Sequence, residues 1–139
     1  EDMHGRKTGA LFAAAAEIGA IVAGAGIEQE ARARRFGWQL GVAFQTIDDL
    51  VDRFATSDAA LKETGKDTAK PTLVALLGPE RALESARHHL AGAMGELAIT
   101  EGAQPQSGAL MQYVSGLGEG LLARLDGSNL EMADGTFGH

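Results

Sequence analysis

Apolar residues recur every three to four positions through most of the chain, and no stretch alternates apolar and polar with β-branched residues. That is a helical pattern, so the fold is expected to be all-α. Lys7 to Ala25 reads as a helix rich in alanine, whose small residues suit close contact with neighbours. Glu28 to about Ala55 reads as a second, long helix, with Phe36, Leu40, Phe44, Ile47 and Val51 forming one apolar stripe. Thr56 to Lys70 turns to Thr, Ser, Asp, Gly and Lys and reads as a loop with at most one short helical turn. Pro71 then opens the short run TLVALLG, closed by Gly78. Pro79 to Ile99 reads as a further helix, with proline at its first turn and Gly102 soon after its end. Ser107 to Leu125 reads as a last helix, which Gly108, Gly116, Gly118 and Gly120 weaken by about 1 kcal/mol each. Asp126 to His139 has no period and is expected to be an irregular tail.

Composition narrows the chemistry. The 139 residues suit one domain, and a hydrophobic content of 45% suits a packed core. The net charge of −7 gives no electrostatic footprint for nucleic acid or anionic lipid. There is no cysteine, which excludes disulfides, thiolate catalysis and Cys-ligated zinc. Gly9 to Ile27 approaches a membrane span in length, but its Ala/Gly content and Glu17 read as a buried helix. No signal-peptide pattern opens the chain, so a cytoplasmic protein without a transmembrane segment is expected.

The segment FQTIDDLVD, residues 44–52, carries the clearest chemistry. On a helix, Asp48 and Asp52 lie one turn apart with Cβ atoms about 6 Å from each other, and Asp49 stands beside them. Carboxylates crowded in one turn repel, and a hard divalent cation removes that repulsion. Magnesium takes one or two carboxylates, several waters and substrate phosphate oxygens. The spacing therefore suits a Mg²⁺-bridged diphosphate rather than only a solvated acidic face. Gln45, one turn earlier, projects on nearly the same side, where its amide can meet a phosphate oxygen or substrate.

Two further features point to phosphate. Arg6-Lys7-Thr8 stands at the predicted entry to the first helix, where free N–H groups and the dipole favour an anion. The loop TGKDTAKPT supplies Lys66 and Lys70. It is no P-loop, since Ala60 replaces the first glycine and Asp67 follows the lysine. His88 and His89 sit about 100° apart on a helix and read as a surface patch rather than a metal pair. GAGIEQ at Gly24 lacks the third glycine of a dinucleotide fingerprint. The pairs Gly37/Gly41 and Gly116/Gly120 read as sites of close helix packing.

KTGALFAAAAEIGAIVAG, GWQLGVAFQTIDDLVD and GKDTAKPTLVALLG, in this order, resemble the second half of trans-isoprenyl diphosphate synthases, from about Lys7 to Ala98. The closest flavour is that of bacterial geranylgeranyl diphosphate synthases of carotenoid pathways, with farnesyl diphosphate synthases next. The resemblance implies an isoprenoid-synthase helical bundle, of which residues 1–139 form a single partial domain. It implies a magnesium-dependent prenyltransferase that extends an allylic prenyl diphosphate with isopentenyl diphosphate, as a homodimer in its complete form. By position, Asp48, Asp49 and Asp52 match the acids that hold Mg²⁺ on the allylic diphosphate. Lys7 and Lys66 match lysines that grip that diphosphate, and Lys70 matches the lysine of the element that follows. Thr8 matches a threonine close to the forming bond, and Gln45 matches the glutamine before the motif, near the substrates and their diphosphate. The family's earlier aspartate-rich motif does not occur here, since the only DDxxD begins at Asp48. The loop around Lys66 is also shorter than the family's. The 139 residues alone are therefore expected to be inactive. The alternative is a non-catalytic homologue serving as the interaction subunit of an active synthase.

Overall fold

The computed structural model describes residues 3–60, 72–100, 112–116, 118–120 and 122–123, and all its regular elements are helices. Helix α1 is Met3–Val22, α2 is Ile27–Ala60, α3 is Leu73–Leu77 and α4 is Pro79–Thr100. Residues 112–116, 118–120 and 122–123 are also helical. The all-α expectation holds.

The turn between α1 and α2 is built by its glycines. Gly24 adopts φ +75°, a left-handed conformation that costs glycine little. Its N–H donates to the Ile21 carbonyl at 3.0 Å, and the Ala25 N–H donates to the Ala20 carbonyl at 3.0 Å. This Schellman arrangement satisfies the last carbonyls of α1. The Gln29 side chain then accepts from the Gly26 N–H at 3.1 Å, which caps the start of α2. Glu28 and Glu30 in the first turn of α2 complement its dipole.

Two seams fix α2. Against α1 the contact is made by missing side chains. A Cβ on Gly37 would lie 2.3 Å from the Phe12 carbonyl oxygen, and one on Gly41 would lie 2.9 Å from Gly9 Cα. Gly37 and Gly41 are therefore packing glycines, as their spacing predicts. Gly116 and Gly120 are not, because a Cβ on either would meet nothing within 4 Å.

Against α4 the contact is an apolar core of Ile47, Leu50, Val74, Ala82 and Ala86, with Val51, Phe54, Leu83, Leu90 and Leu122 packed on it. Ile47 and Leu50 are fully buried, each worth about 1.5–3 kcal/mol of transfer free energy. Helix α3 joins this core through Val74. Thr72 caps its start by accepting from the Ala75 N–H at 3.2 Å, and Gly78, at φ +81°, closes it. Pro79 begins α4 directly afterwards.

Four further expectations need correction. Helix α2 continues to Ala60, past its predicted end near Ala55, so the helical turn allowed after Thr56 belongs to α2; residues 61–70 of the predicted loop lie outside the described residues. Residues 56–60 contain no glycine or proline, and extending an existing helix by a turn costs far less than starting one. Helix α1 begins at Met3, so Lys7 lies inside the helix and not at its entry. The free N–H groups of a helix start are the first four only, and an anion at Lys7 would meet its side chain alone. The core face of α2 is rotated from the predicted stripe: Ala43, Thr46, Ile47 and Leu50 are buried, while Phe44 is exposed. Burial follows α4, which lies over that side. Finally, His89 is half-buried at the α2·α4 seam, where its Nδ1 meets Gln39 Oε1, and only His88 is fully at the surface.

Candidate functional site

The small residues of the α1·α2 seam bring Thr8 and Gln45 together across two helices. The Thr8 hydroxyl donates to Gln45 Oε1 at 2.8 Å. Gln45 Nε2 in turn donates to Asp49 Oδ1 at 3.0 Å, one turn further along α2. Three of the residues singled out in the sequence thus form one hydrogen-bonded line. Thr8, Gln45 and Asp49 are each partly buried, and Asp49 Oδ2 is shielded from solvent.

The other acids behave differently. Asp48 and Asp52 are exposed on successive turns of α2. Lys7 is exposed on α1, one residue before Thr8. Lys66 and Lys70 lie outside the described residues. Among the described residues no group of three or more His, Cys, Asp or Glu side chains converges as a ready metal cluster. Asp48 and Asp52 nevertheless place two carboxylates, hard oxygen donors, at the surface one turn apart. Two carboxylates completed by waters and phosphate oxygens are an ordinary magnesium set, so the donor chemistry fits that ion.

Phe12 and Phe44 stack beside this line, with ring centroids 5.8 Å apart and planes at 28°. Phe12 stands one turn after Thr8, and Phe44 directly precedes Gln45. On the same pair of helices, a cavity of about 270 Å³ is lined by Ala10, Ala13, Ala14, Arg34, Arg35, Trp38 and Gln39. In the sequence the only trace of this cavity is Ala10, Ala13 and Ala14, at spacings of three and four.

Charged groups around the cavity are held from both sides. Arg34 Nη1 donates to Glu17 Oε2 at 2.9 Å, which ties α2 to α1. Arg35 donates through Nε and Nη2 to both Glu96 oxygens, at 2.8 and 3.2 Å, which ties α2 to α4. That fork holds the Arg35 guanidinium above its ordinary pKa, chiefly through the hydrogen bond to Glu96. Burial pushes the His89 imidazole below its ordinary value, with a smaller contribution from His88.

The family model for polyprenyl synthetases matches residues 1–105. The chain belongs to that family. It is 42% identical over 84 residues to a geranylgeranyl diphosphate synthase of Pantoea ananas, covering 60% of this chain and 27% of the relative. It is 40% identical over 96 residues to a geranylgeranyl diphosphate synthase of Rhodobacter capsulatus, covering 68% and 32%. It is also 39% identical over 101 residues to a dimethylallyltranstransferase of Fischerella ambigua, covering 71% and 29%. The matched part of the chain spans about a quarter to a third of the length of these relatives. No solved structure matches the chain. Among the described residues, no helix is long and apolar enough to cross a membrane.

Proposed function

We propose that this polyprenyl synthetase segment forms the allylic-diphosphate side of a prenyltransferase that joins isopentenyl diphosphate to an allylic prenyl diphosphate. The observation that carries the reading is the line Thr8–Gln45–Asp49 beside the exposed acids Asp48 and Asp52, all but Thr8 on one helix. The names of the relatives, two geranylgeranyl diphosphate synthases and a dimethylallyltranstransferase, support the same reaction class.

In this reading Asp48 and Asp52 hold Mg²⁺ on the allylic diphosphate, and Lys7, Lys66 and Lys70 contact its phosphate oxygens. When bound, the metal neutralises charge that develops on the diphosphate leaving group. The rest falls to the side chains of the chain. The Thr8 proton is committed to Gln45, so the Thr8 oxygen presents lone pairs to any cationic carbon beside it. The stacked Phe12 and Phe44 offer apolar surface and ring faces to an allylic chain and its developing positive charge. The homodimer is inferred for the complete protein from the resemblance alone.

A chimera tests the reaction. The matched segment of the Pantoea ananas relative is replaced by the aligned segment of this chain, and product length is read after incubation with both diphosphates and Mg²⁺. The chimera is expected to form an elongated prenyl diphosphate. Asp48→Ala in it is expected to lower turnover at least about 100-fold, the scale of a lost transition-state charge contact. Its melting temperature should barely move, because removing one of several crowded carboxylates relieves repulsion. An Asp48→Ala chimera as active as its parent, with unchanged magnesium dependence, overturns the reading.

A further inference from the structure

We propose that Asp49 is a positioning residue that sets the polarity of the Gln45–Thr8 hydrogen bond, and that the three aspartates of the motif divide their work. The proposal rests on the reading above for what the line serves, but not for its geometry. Two observations separate Asp49 from its neighbours. It is half-buried where Asp48 and Asp52 are exposed, and one of its oxygens receives the Gln45 amide at 3.0 Å while the other is shielded from water.

The chemistry of the donors fixes a direction along this line. An amide group has one accepting end and one donating end, and reversing it costs a glutamine little by itself. An ionised carboxylate only accepts. Asp49 therefore admits the Nε2 end of Gln45 and refuses the Oε1 end. With Nε2 turned to Asp49, Oε1 faces α1, where it can only accept, and the Thr8 hydroxyl supplies the proton at 2.8 Å. The Thr8 oxygen is left with its lone pairs directed away from Gln45. Were the amide reversed, Nε2 would donate to Thr8, and the hydroxyl proton would point outward instead. A site that must face developing positive charge needs the first polarity. Asp49 enforces it from one turn away, without touching the substrate or the reacting atoms.

The location of the line supports a role in orientation. Gly41 and Gly9 let the backbones of α1 and α2 approach to contact beside Thr8, so the hydroxyl has little freedom to seek another acceptor. Gln45 lies one helical turn from Gly41 on one side and one turn from Asp49 on the other. Its amide bridges two rigid helices.

The test compares Asp48→Asn with Asp49→Asn in this chain, using two readouts that need no turnover. Both variants remove one charge and keep nearly the same shape. The half-buried charge of Asp49 is screened less than the exposed charge of Asp48, so electrostatics alone predicts the larger loss in Asp49→Asn, and ligation by Asp48 predicts the larger loss in Asp48→Asn. The first readout is Mg²⁺ binding in the presence of inorganic pyrophosphate. Asp49→Asn should keep the native affinity within about threefold, the screened effect of one nearby charge. Loss of binding in Asp49→Asn as large as in Asp48→Asn overturns the proposal, since it makes Asp49 a ligand. The second readout is the NMR signal of the Gln45 Nε2 protons. In the native chain one of them should exchange with water about tenfold slower than those of the exposed Gln112, the scale of a hydrogen bond to a charged acceptor. Asp49→Ala should abolish that protection and Asp48→Asn should leave it intact. Unchanged Gln45 protons in Asp49→Ala overturn the proposal. If neither Asn variant alters Mg²⁺ binding while the Gln45 protons respond to Asp49→Ala, the positioning role stands and the metal reading of Asp48 falls.

Discussion

Helix α2 is held on two sides by opposite means. Toward α4 it presents bulk: Ile47 and Leu50 sink into a core shared with Val74, Ala82 and Ala86. Toward α1 it presents absence: Gly37 and Gly41 meet backbone where any side chain would clash. The first seam gains from buried apolar area and the second from closeness. The difference matters because the candidate site depends on the second. A hydroxyl on α1 reaches an amide on α2 at 2.8 Å only if the two backbones nearly touch. Stability and site geometry are therefore concentrated on different faces of one helix, and substitutions should separate them.

The largest expected change in stability comes from the bulky face. Leu50→Ala should cost about 3 kcal/mol, because the site is fully enclosed and a cavity remains. Chemical denaturation measures it. The Thr8–Gln45 contact should survive in the folded fraction, as seen in unchanged chemical shifts for both residues. Gly37→Ala should cost less, about 2 kcal/mol, because the clash at Phe12 is offset in part by alanine's better helix propensity. It should nonetheless disturb the shifts of Thr8 and Gln45, since the helices must part to admit the methyl group. If Leu50→Ala disrupts the Thr8–Gln45 pair and Gly37→Ala spares it, the division of labour is wrong.

The smallest effect belongs to pH. His89 has its pKa lowered by burial at the α2·α4 seam, so the folded state binds its proton less readily than the unfolded state does. The stability it contributes is then complete above the ordinary histidine value of 6.5 and is lost as pH falls through the lower folded value. Melting temperature should drop between about pH 7.5 and about pH 5.5, and the drop should shrink in His89→Asn. A decline of equal size in both proteins assigns it to other groups.

Much of this arrangement is legible in the sequence. Pro79 and the run of helix formers after it mark α4 nearly to the residue, and the spacing of Gly37 and Gly41 predicts close packing. The motif residues Thr8, Gln45 and Asp49 are marked too, though not their connection. Other features escape because they depend on which helix lies where. Periodicity places Phe44 with Ile47 on one stripe, yet only contact with α4 decides that Ile47 is covered and Phe44 is not. Asp49 reads as an equal of Asp48 by composition, and only the packed structure shows that Asp49 is half-buried and bonded to Gln45 while Asp48 is exposed. His89 looks like surface beside His88 until Gln39 is found opposite it. The end of α2 is hidden for a local reason, since Thr, Ser and Asp resemble loop residues but do not stop a helix already under way.

The central claim is that α2 offers a magnesium-dependent seat for an allylic diphosphate, centred on Asp48. Titration calorimetry of this chain with geranyl diphosphate, with and without Mg²⁺, tests it most directly. The account predicts binding heat with Mg²⁺ that disappears in chelator and falls at least about tenfold in affinity in Asp48→Asn. Binding of equal strength without the metal, or in the variant, contradicts it.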